Sequence, residues 1–511
     1  SSKLSASITG LKAGTTYYVR VRAFKTDSTG EKVYGDYCAF EMYKTAPAAP
    51  QINTVTGGTN KITVSWDKVT GASYYEVYMA TSKTGTYSKI ASVKSGTTSY
   101  AKSGLSTAKT YYFKVRAYTT LDDSKIYGSF GTIKYGTTAT AAPAISSAAG
   151  GSGKATIKWG AVTGASGYAV YMAASANGTY SKLTTVSSST LSYTKTGLSA
   201  AKTYYFKVRA YRKGEGVNVY SSYSAAKNAG TAPAVPQISA LTGGTGKITL
   251  SWKDVSGESK YQVYRATSEK GTYSRIATLN ANTTSYTNSG LSAAKTYYYK
   301  VRAYRTVNGT NVYSSFGTVK YGTTAPSIPA ITSAAGGTGK ITVKWKAVTG
   351  ASGYALYMST SASGTYSKVA ALNSSTLSYT KTGLSAAKNY YFKIRAYRTA
   401  GGANVYSGYS SAVSGGTATT TPAISKAAAG KKKVTLSWKD VSGETKYQVY
   451  MSDSKNGTYS LAATLNANTK SYTKTGLTGG KTYYFKIRTY RTVNGKAVYS
   501  GFSSVKSAIP T

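Results

Sequence analysis

In KITLSW, Lys247–Trp252, the apolar Ile248, Leu250 and Trp252 alternate with polar neighbours, the two-residue period of a strand with one buried face. A glycine-containing turn, KDVSGES, leads to KYQVYRA, where Tyr261 and Val263 share one face and Gln262 and Tyr264 the other. GTYSRI, TTSYTNSGL, KTYYYKVRAY and NVYSSFGTVKYGTT follow, each opened or closed by Gly, Ser, Thr or Asn, the residues that build turns. The pattern predicts seven short strands, with turn signals every 8–12 residues or so, in two packed antiparallel sheets. The longest strand sorts most clearly. In KTYYFKVRAY, Lys202–Tyr211, strand alternation puts Tyr204, Phe206, Val208 and Ala210 on the core face and Tyr205, Lys207, Arg209 and Tyr211 on the outer face.

The same pattern returns. Trp66, Trp159, Trp252, Trp345 and Trp438 lie 93 residues apart, as do Arg116, Arg209, Arg302, Arg395 and Arg488, and Pro50, Pro143, Pro236, Pro329 and Pro422. A solenoid unit is far shorter than this period, which suits an independently folding domain. Proline fixes φ and donates no hydrogen bond, so the in-phase prolines mark strand starts or stiff linkers between domains. Five beads are expected, at 47–139, 140–232, 233–325, 326–418 and 419–511. Residues 1–46 correspond to the second half of a sixth, with no Trp. AVTGASGY in beads 2 and 4, against KDVSGE in beads 3 and 5, points to lengthening by duplication of pairs.

The order ITLSW, YQVY, SYTNSGL, KTYYYKVRAY, VYSSF resembles a fibronectin type III domain, and does so along essentially the whole chain. In that family a Tyr six residues after a Leu forms a corner, its hydroxyl bonded back to nearby backbone. Leu11 with Tyr17, Leu105 with Tyr111, Leu198 with Tyr204, Leu291 with Tyr297, Leu384 with Tyr390 and Leu477 with Tyr483 all keep that spacing. The resemblance implies an all-β chain of tandem immunoglobulin-like sandwiches arranged as a rod. Strands rising about 3.3 Å per residue make each bead roughly 30–35 Å long, so five span on the order of 150 Å. The tight repeats and the preference for Tyr and Lys resemble secreted or surface-attached proteins of Gram-positive bacteria. The family serves as spacer, adhesin and enzyme accessory alike, so the fold leaves function open.

Composition sharpens this picture in one respect. Lys and Arg number 63 against 15 Asp and Glu, a formal charge of +48. The stretch Pro326–Ala418 has no acidic residue, and Thr140–Ala232 has only Glu215. Such beads cannot neutralise themselves with internal salt bridges, and they attract acidic polymers, whether wall polymer, acidic glycan or nucleic acid, or an acidic protein. The single cysteine, Cys38, occupies the place of Ser224 in a later repeat, so no disulfide framework is expected. No apolar run reaches the roughly 18 residues of a membrane helix, and no membrane insertion is expected.

Catalytic chemistry has little to work with. Histidine is absent, which removes His-based triads and His-ligated metals. Asp254 with Glu258, and Asp440 with Glu444, share one turn in beads 3 and 5. Calcium wants six to eight or so oxygens in a characteristic loop spacing that is missing, so a solvated turn is expected. Asp122 with Asp123 reads the same way. No enzyme activity and no cofactor are expected.

The candidate binding residues are therefore the outward rows: Tyr112, Lys114, Arg116 and Tyr118; Tyr205, Lys207, Arg209 and Tyr211; Tyr298, Lys300, Arg302 and Tyr304; Tyr391, Lys393, Arg395 and Tyr397; Tyr484, Lys486, Arg488 and Tyr490. In the resembling fold Tyr171 lies beside the second row. Either the arginine lies across its own tyrosines and the row covers its sheet, or the row stacks on sugars or bases while its cations hold phosphate or carboxylate. An extracellular, non-catalytic structural or adhesive stalk, self-associating into a filament or not, is the leading expectation. The alternatives are a polyanion- or carbohydrate-binding array and accessory modules of a carbohydrate-active enzyme.

Overall fold

The computed structural model describes residues 4–214 and 216–511; residues 1–3 and Glu215 lie outside it. Every regular element among the described residues is a β-strand. By packing the chain divides into two compact units. One runs to Ala234 and adds Ser256–Ser259 and Tyr304–Ser315, and the other holds Val235–Val255, Lys260–Ala303 and Phe316–Thr511.

Bead 2 illustrates the plan. Strands Ile145–Gly151, Lys154–Trp159 and Ser192–Thr196 form a three-stranded sheet. Ser181–Ser187, Gly167–Ala173, Thr203–Lys213 and Asn218–Tyr220 form the second in that order, with Lys227–Gly230 also paired to Thr203–Lys213. All pairings are antiparallel. The same two sheets recur in each of the other four beads.

Eight strands replace the seven expected because the last edge strand is broken. Tyr204 and Tyr205 pair with Ala229 and Asn228, while Tyr211 pairs with Tyr220 at the other end of the long strand. Two serine hydroxyls fill the gap: Ala210 N donates to Ser221 Oγ and Val208 N to Ser224 Oγ, both at 3.0 Å. Buried amides thereby keep an acceptor where the ladder lapses. Among residues 4–46 Cys38 does this work, its Sγ accepting from Val21 N at 3.1 Å.

The core lies between the sheets. In bead 2 it contains Ile157, Trp159, Tyr168, Val170, Leu198, Phe206, Val208 and Ala210, and the equivalent residues fill the other beads. Each tryptophan ring meets a tyrosine, as Trp159 meets Tyr168 at 5.6 Å between centroids. The five indole Nε1 atoms are buried without an acceptor, so these rings contribute through volume and ring contact alone.

The corner is present in all six copies. Lys12, Ser106, Ser199, Ser292, Ser385 and Thr478 donate their backbone N–H to the hydroxyls of Tyr17, Tyr111, Tyr204, Tyr297, Tyr390 and Tyr483, at 2.8–3.2 Å. A second corner has no counterpart in the sequence reading. Val69, Val162, Val255, Val348 and Val441 donate to the hydroxyls of Tyr75, Tyr168, Tyr261, Tyr354 and Tyr447 at 2.7–2.9 Å.

Candidate functional site

The long strand of each bead carries the Tyr-Lys-Arg-Tyr row on its outer face, and the neighbouring strand decides what the row meets. In bead 2 Tyr171 lies opposite Lys207 and Ala169 opposite Arg209. Arg209 donates from Nε and Nη2 to Tyr171 Oη at 3.0 and 2.6 Å. Its guanidinium lies 3.9 Å from the centre of the Tyr220 ring, with Tyr223 at 4.9 Å. The arginine is thus enclosed by tyrosines of its own sheet, a cation–π arrangement. Lys207 turns the other way, its Nζ 4.3 Å from the Tyr180 ring centre.

All five beads repeat this. Arg116, Arg302, Arg395 and Arg488 donate from Nη2 to Tyr78, Tyr264, Tyr357 and Tyr450 at 2.6–2.9 Å. Lys114, Lys300, Lys393 and Lys486 lie over Tyr87, Tyr273, Tyr366 and Tyr459 at 4.2–4.6 Å. Burial raises the pKa of Tyr87, Tyr180, Tyr273, Tyr366 and Tyr459 above the usual phenol value. The last tyrosine of each row, Tyr118, Tyr211, Tyr304, Tyr397 or Tyr490, packs on a ring of the next strand at 5.1–5.7 Å. Tyr118 and Tyr211 are buried and the other residues of the rows half-buried. The first tyrosines differ between beads: Tyr112 meets Tyr135 and Tyr298 meets Tyr321, whereas Tyr205, Tyr391 and Tyr484 lie opposite Asn228, Ser414 and Ser507.

The position facing the arginine varies. Bead 1 has Glu76, which is buried and accepts from Arg116, Tyr78 and Lys89 at 2.8–3.2 Å. Beads 3 and 5 have Gln262 and Gln448, accepting from Arg302 and Arg488 Nε at 2.9 Å. Beads 2 and 4 have Ala169 and Ala355, and Arg395 Nε is left buried without an acceptor. The third ring alternates in step: Phe130, Phe316 and Phe502 in beads 1, 3 and 5, Tyr223 and Tyr409 in beads 2 and 4. Where the facing residue offers no polar atom, the ring gains a hydroxyl.

The rings that enclose the rows were missed as site components, although GTYS and the variants of VYSSF (IYGSF, VYSSY, VYSGY, VYSGF), which carry them, recur at the same 93-residue interval. The acidic turns also have a more definite role than solvation. Asp254 and Asp440 accept from the buried corner hydroxyls of Tyr261 and Tyr447 at 2.7 Å, and Glu444 Oε1 accepts from Asn468 N at 2.7 Å. Among the described residues no three metal-ligating side chains gather, and no helix is long and apolar enough to cross a membrane.

Residues 237–321 match the family model of the fibronectin type III domain, SaeA third domain. Exoglucanase B of Cellulomonas fimi is 31% identical over 312 residues, covering 55% of this chain and 26% of that protein. Amylopullulanases of Thermoanaerobacterium saccharolyticum and Thermoanaerobacterium thermosulfurigenes are 36% and 34% identical over 73 residues, covering 14% of this chain and 6% and 4% of theirs. The chain therefore spans about a quarter or less of the length of these relatives. A crystal structure of chicken CNTN1 FN1-FN3 domains aligns with 55% of this chain and 98% of its own, at 18% identity and a TM-score of 0.24.

Proposed function

We propose that this chain, a tandem array of fibronectin type III-type sandwiches, is a non-catalytic accessory region of a longer secreted carbohydrate-active protein. The similarity to exoglucanase B over 312 residues carries this reading, because the match is longer than three beads of this chain and covers only 26% of that protein. The amylopullulanases, matched over 73 residues each, support the same class. A free-standing adhesive stalk or filament has no comparable support. Catalysis within the array has none either: the rows spend their cations and rings on each other, and the chain has no histidine. An accessory array gives reach or avidity to the module it is joined to.

The charge favours a second role for the same array. With 63 basic against 15 acidic residues, the surface concentrates acidic polymers around whatever the array carries. Diffuse lysines supply most of this attraction, since the row arginines are enclosed. The purified chain, incubated with cellulose, starch and an acidic polysaccharide, is expected to hydrolyse none of them. It should bind only the acidic one, and release it in salt. Hydrolysis, or salt-resistant binding to a neutral glucan, would remove this reading.

A further inference from the structure

Beads 3 and 5 meet the bead before them through the turn after the long strand, and the residues at that turn alternate in size along the array. The turn residues are Gly214, Val307, Ala400 and Val493 in beads 2 to 5, and the residues at the position of Gly230 and Gly416 in the bead before each are Thr137, Gly230, Thr323 and Gly416. In sequence a large turn residue is always matched with glycine, and a small one with threonine. Within the second unit a Cβ on Gly416 would stand 2.7 Å from Val493 Cγ2, and within the first a Cβ on Gly230 would stand 2.5 Å from Val307 Cγ2. The valines fill the space that the glycines leave.

Polar groups follow the same alternation. Asn494 Nδ2 donates to Ser414 O and Oγ at 2.9 and 3.0 Å, and Arg491 Nη2 to Asn389 Oδ1 at 2.8 Å. Asn308 donates to Asn228, and Arg305 Nη2 to Thr203 Oγ1 at 3.3 Å. In bead 4 the turn reads Ala400-Gly401-Gly402, with no side chain able to donate. The arginines of beads 2 and 4, Arg212 and Arg398, reach the carbonyls of Gly164 and Gly350 within their own beads, at 3.4 and 3.2 Å. A separate contact, Val219 on Gly57, Val405 on Gly243 and Val498 on Gly336, occurs at joints of both kinds. The valine-asparagine latch is therefore an addition to a common joint.

We propose that the array is jointed in pairs: beads 2 and 3, and beads 4 and 5, are each locked by a valine seated on glycine, while the joints between beads 1 and 2 and between beads 3 and 4 are compliant. The surface around Gly230 or Gly416 is an interface for a bead bearing Val-Asn-Gly at its turn, and the threonine-bearing surface is not.

Limited proteolysis of the whole chain with a broad-specificity protease tests this. The seams supply their own control. Pro143 and Pro422 are single prolines in one compliant and one locked seam, while Pro326 with Pro329 and Pro233 with Pro236 are paired prolines in one compliant and one locked seam. Within each matched set the compliant seam should be cut about tenfold faster, because cleavage follows the population of the open joint. Two-bead fragments, 2 with 3 and 4 with 5, should accumulate. Gly416→Thr should make the last seam as labile as the one between beads 3 and 4, and adding Val493→Ala, which copies the Thr323 and Ala400 of that joint, should leave it labile. Beads 1 and 3 fold with threonine at this position, and the one group of its own bead that a Cβ would press, Asn389 Oδ1 at 2.8 Å, is the end of a side chain that can turn aside. Equal cutting at all four seams, or a Gly416→Thr chain cut like the parent, would overturn the proposal.

Discussion

Arg116 donates from both Nε and Nη2 to one carboxylate oxygen of Glu76, at 3.0 and 2.8 Å, and Glu76 is almost completely buried. The same strand position carries Ala169, Gln262, Ala355 and Gln448 in the later beads. A site repeated for avidity needs its arginine free to meet the same ligand group each time. Here the arginine is coordinated three different ways from within, by carboxylate, by amide, or by tyrosine hydroxyls alone. This variation is what a structural cation tolerates, provided some acceptor remains.

Bead 1 should therefore lose stability in acid through the partner of its row arginine, as the other beads, with Ala or Gln there, do not. Burial pushes the Glu76 carboxyl up, but the hydrogen bonds from Arg116, Tyr78 and Lys89 outweigh it and hold its pKa below the ordinary 4.5. A folded-state pKa below the unfolded one gives stabilisation that is complete above about pH 4.5 and fades as pH falls through the folded value. Glu76→Gln should abolish this acid limb while costing about 1 kcal/mol at neutral pH, since Gln262 and Gln448 hold their arginines. Acid titration of the Trp66 fluorescence in isolated bead 1 measures both effects; an unchanged acid limb would show that Glu76 is not its source.

The two tyrosine corners should matter more than the outward row. Tyr204→Phe and Tyr168→Phe each strip the acceptor from a backbone amide and should cost about 1–2 kcal/mol. Tyr205→Phe should cost less than about 0.5 kcal/mol, the range of ordinary surface changes. Denaturant unfolding of isolated bead 2 measures all three, and equal losses would mean that the corner bonds are dispensable.

Ser224 should resist replacement by alanine and accept cysteine. Ser224→Ala leaves the Val208 amide without its acceptor at a buried edge, a loss of about 1–3 kcal/mol. Ser224→Cys copies the Cys38 contact to Val21 N and should retain most of the stability. Thermal melts of bead 2 compare the variants; identical melting for the alanine and cysteine forms would deny the sulfur its role.

The fold was legible because its signals are local and repeated. Alternation in KITLSW, the Leu–Tyr spacing and in-phase prolines each depend on a few adjacent residues. What the outward row touches was not legible, because that depends on register across strands. Alternation assigns Arg209 to the outer face, yet only pairing brings Tyr171, Tyr220 and Tyr223 around it. The broken edge strand was hidden for a similar reason: Ser221 and Ser224 look like ordinary turn residues until the amides of Ala210 and Val208 are found to need them.

The central claim is that the rows are scaffold and that any attraction for acidic polymers is diffuse charge. Affinity of the whole chain for a duplex DNA and for an acidic polysaccharide, measured across a salt series, tests it most directly. Tyr205→Ser with Tyr391→Ser leaves the net charge unchanged and should shift affinity less than twofold or so at fixed salt, because no stacked base or sugar is lost. Replacing the exposed Lys154, Lys158, Lys340 and Lys344 by Gln should weaken binding and flatten the salt slope, which for duplex DNA falls by about 0.9 per neutralised phosphate. If the tyrosine variant instead lost roughly 1–3 kcal/mol per ring with its fold intact, while the lysine variant bound normally, the rows would be a ligand site.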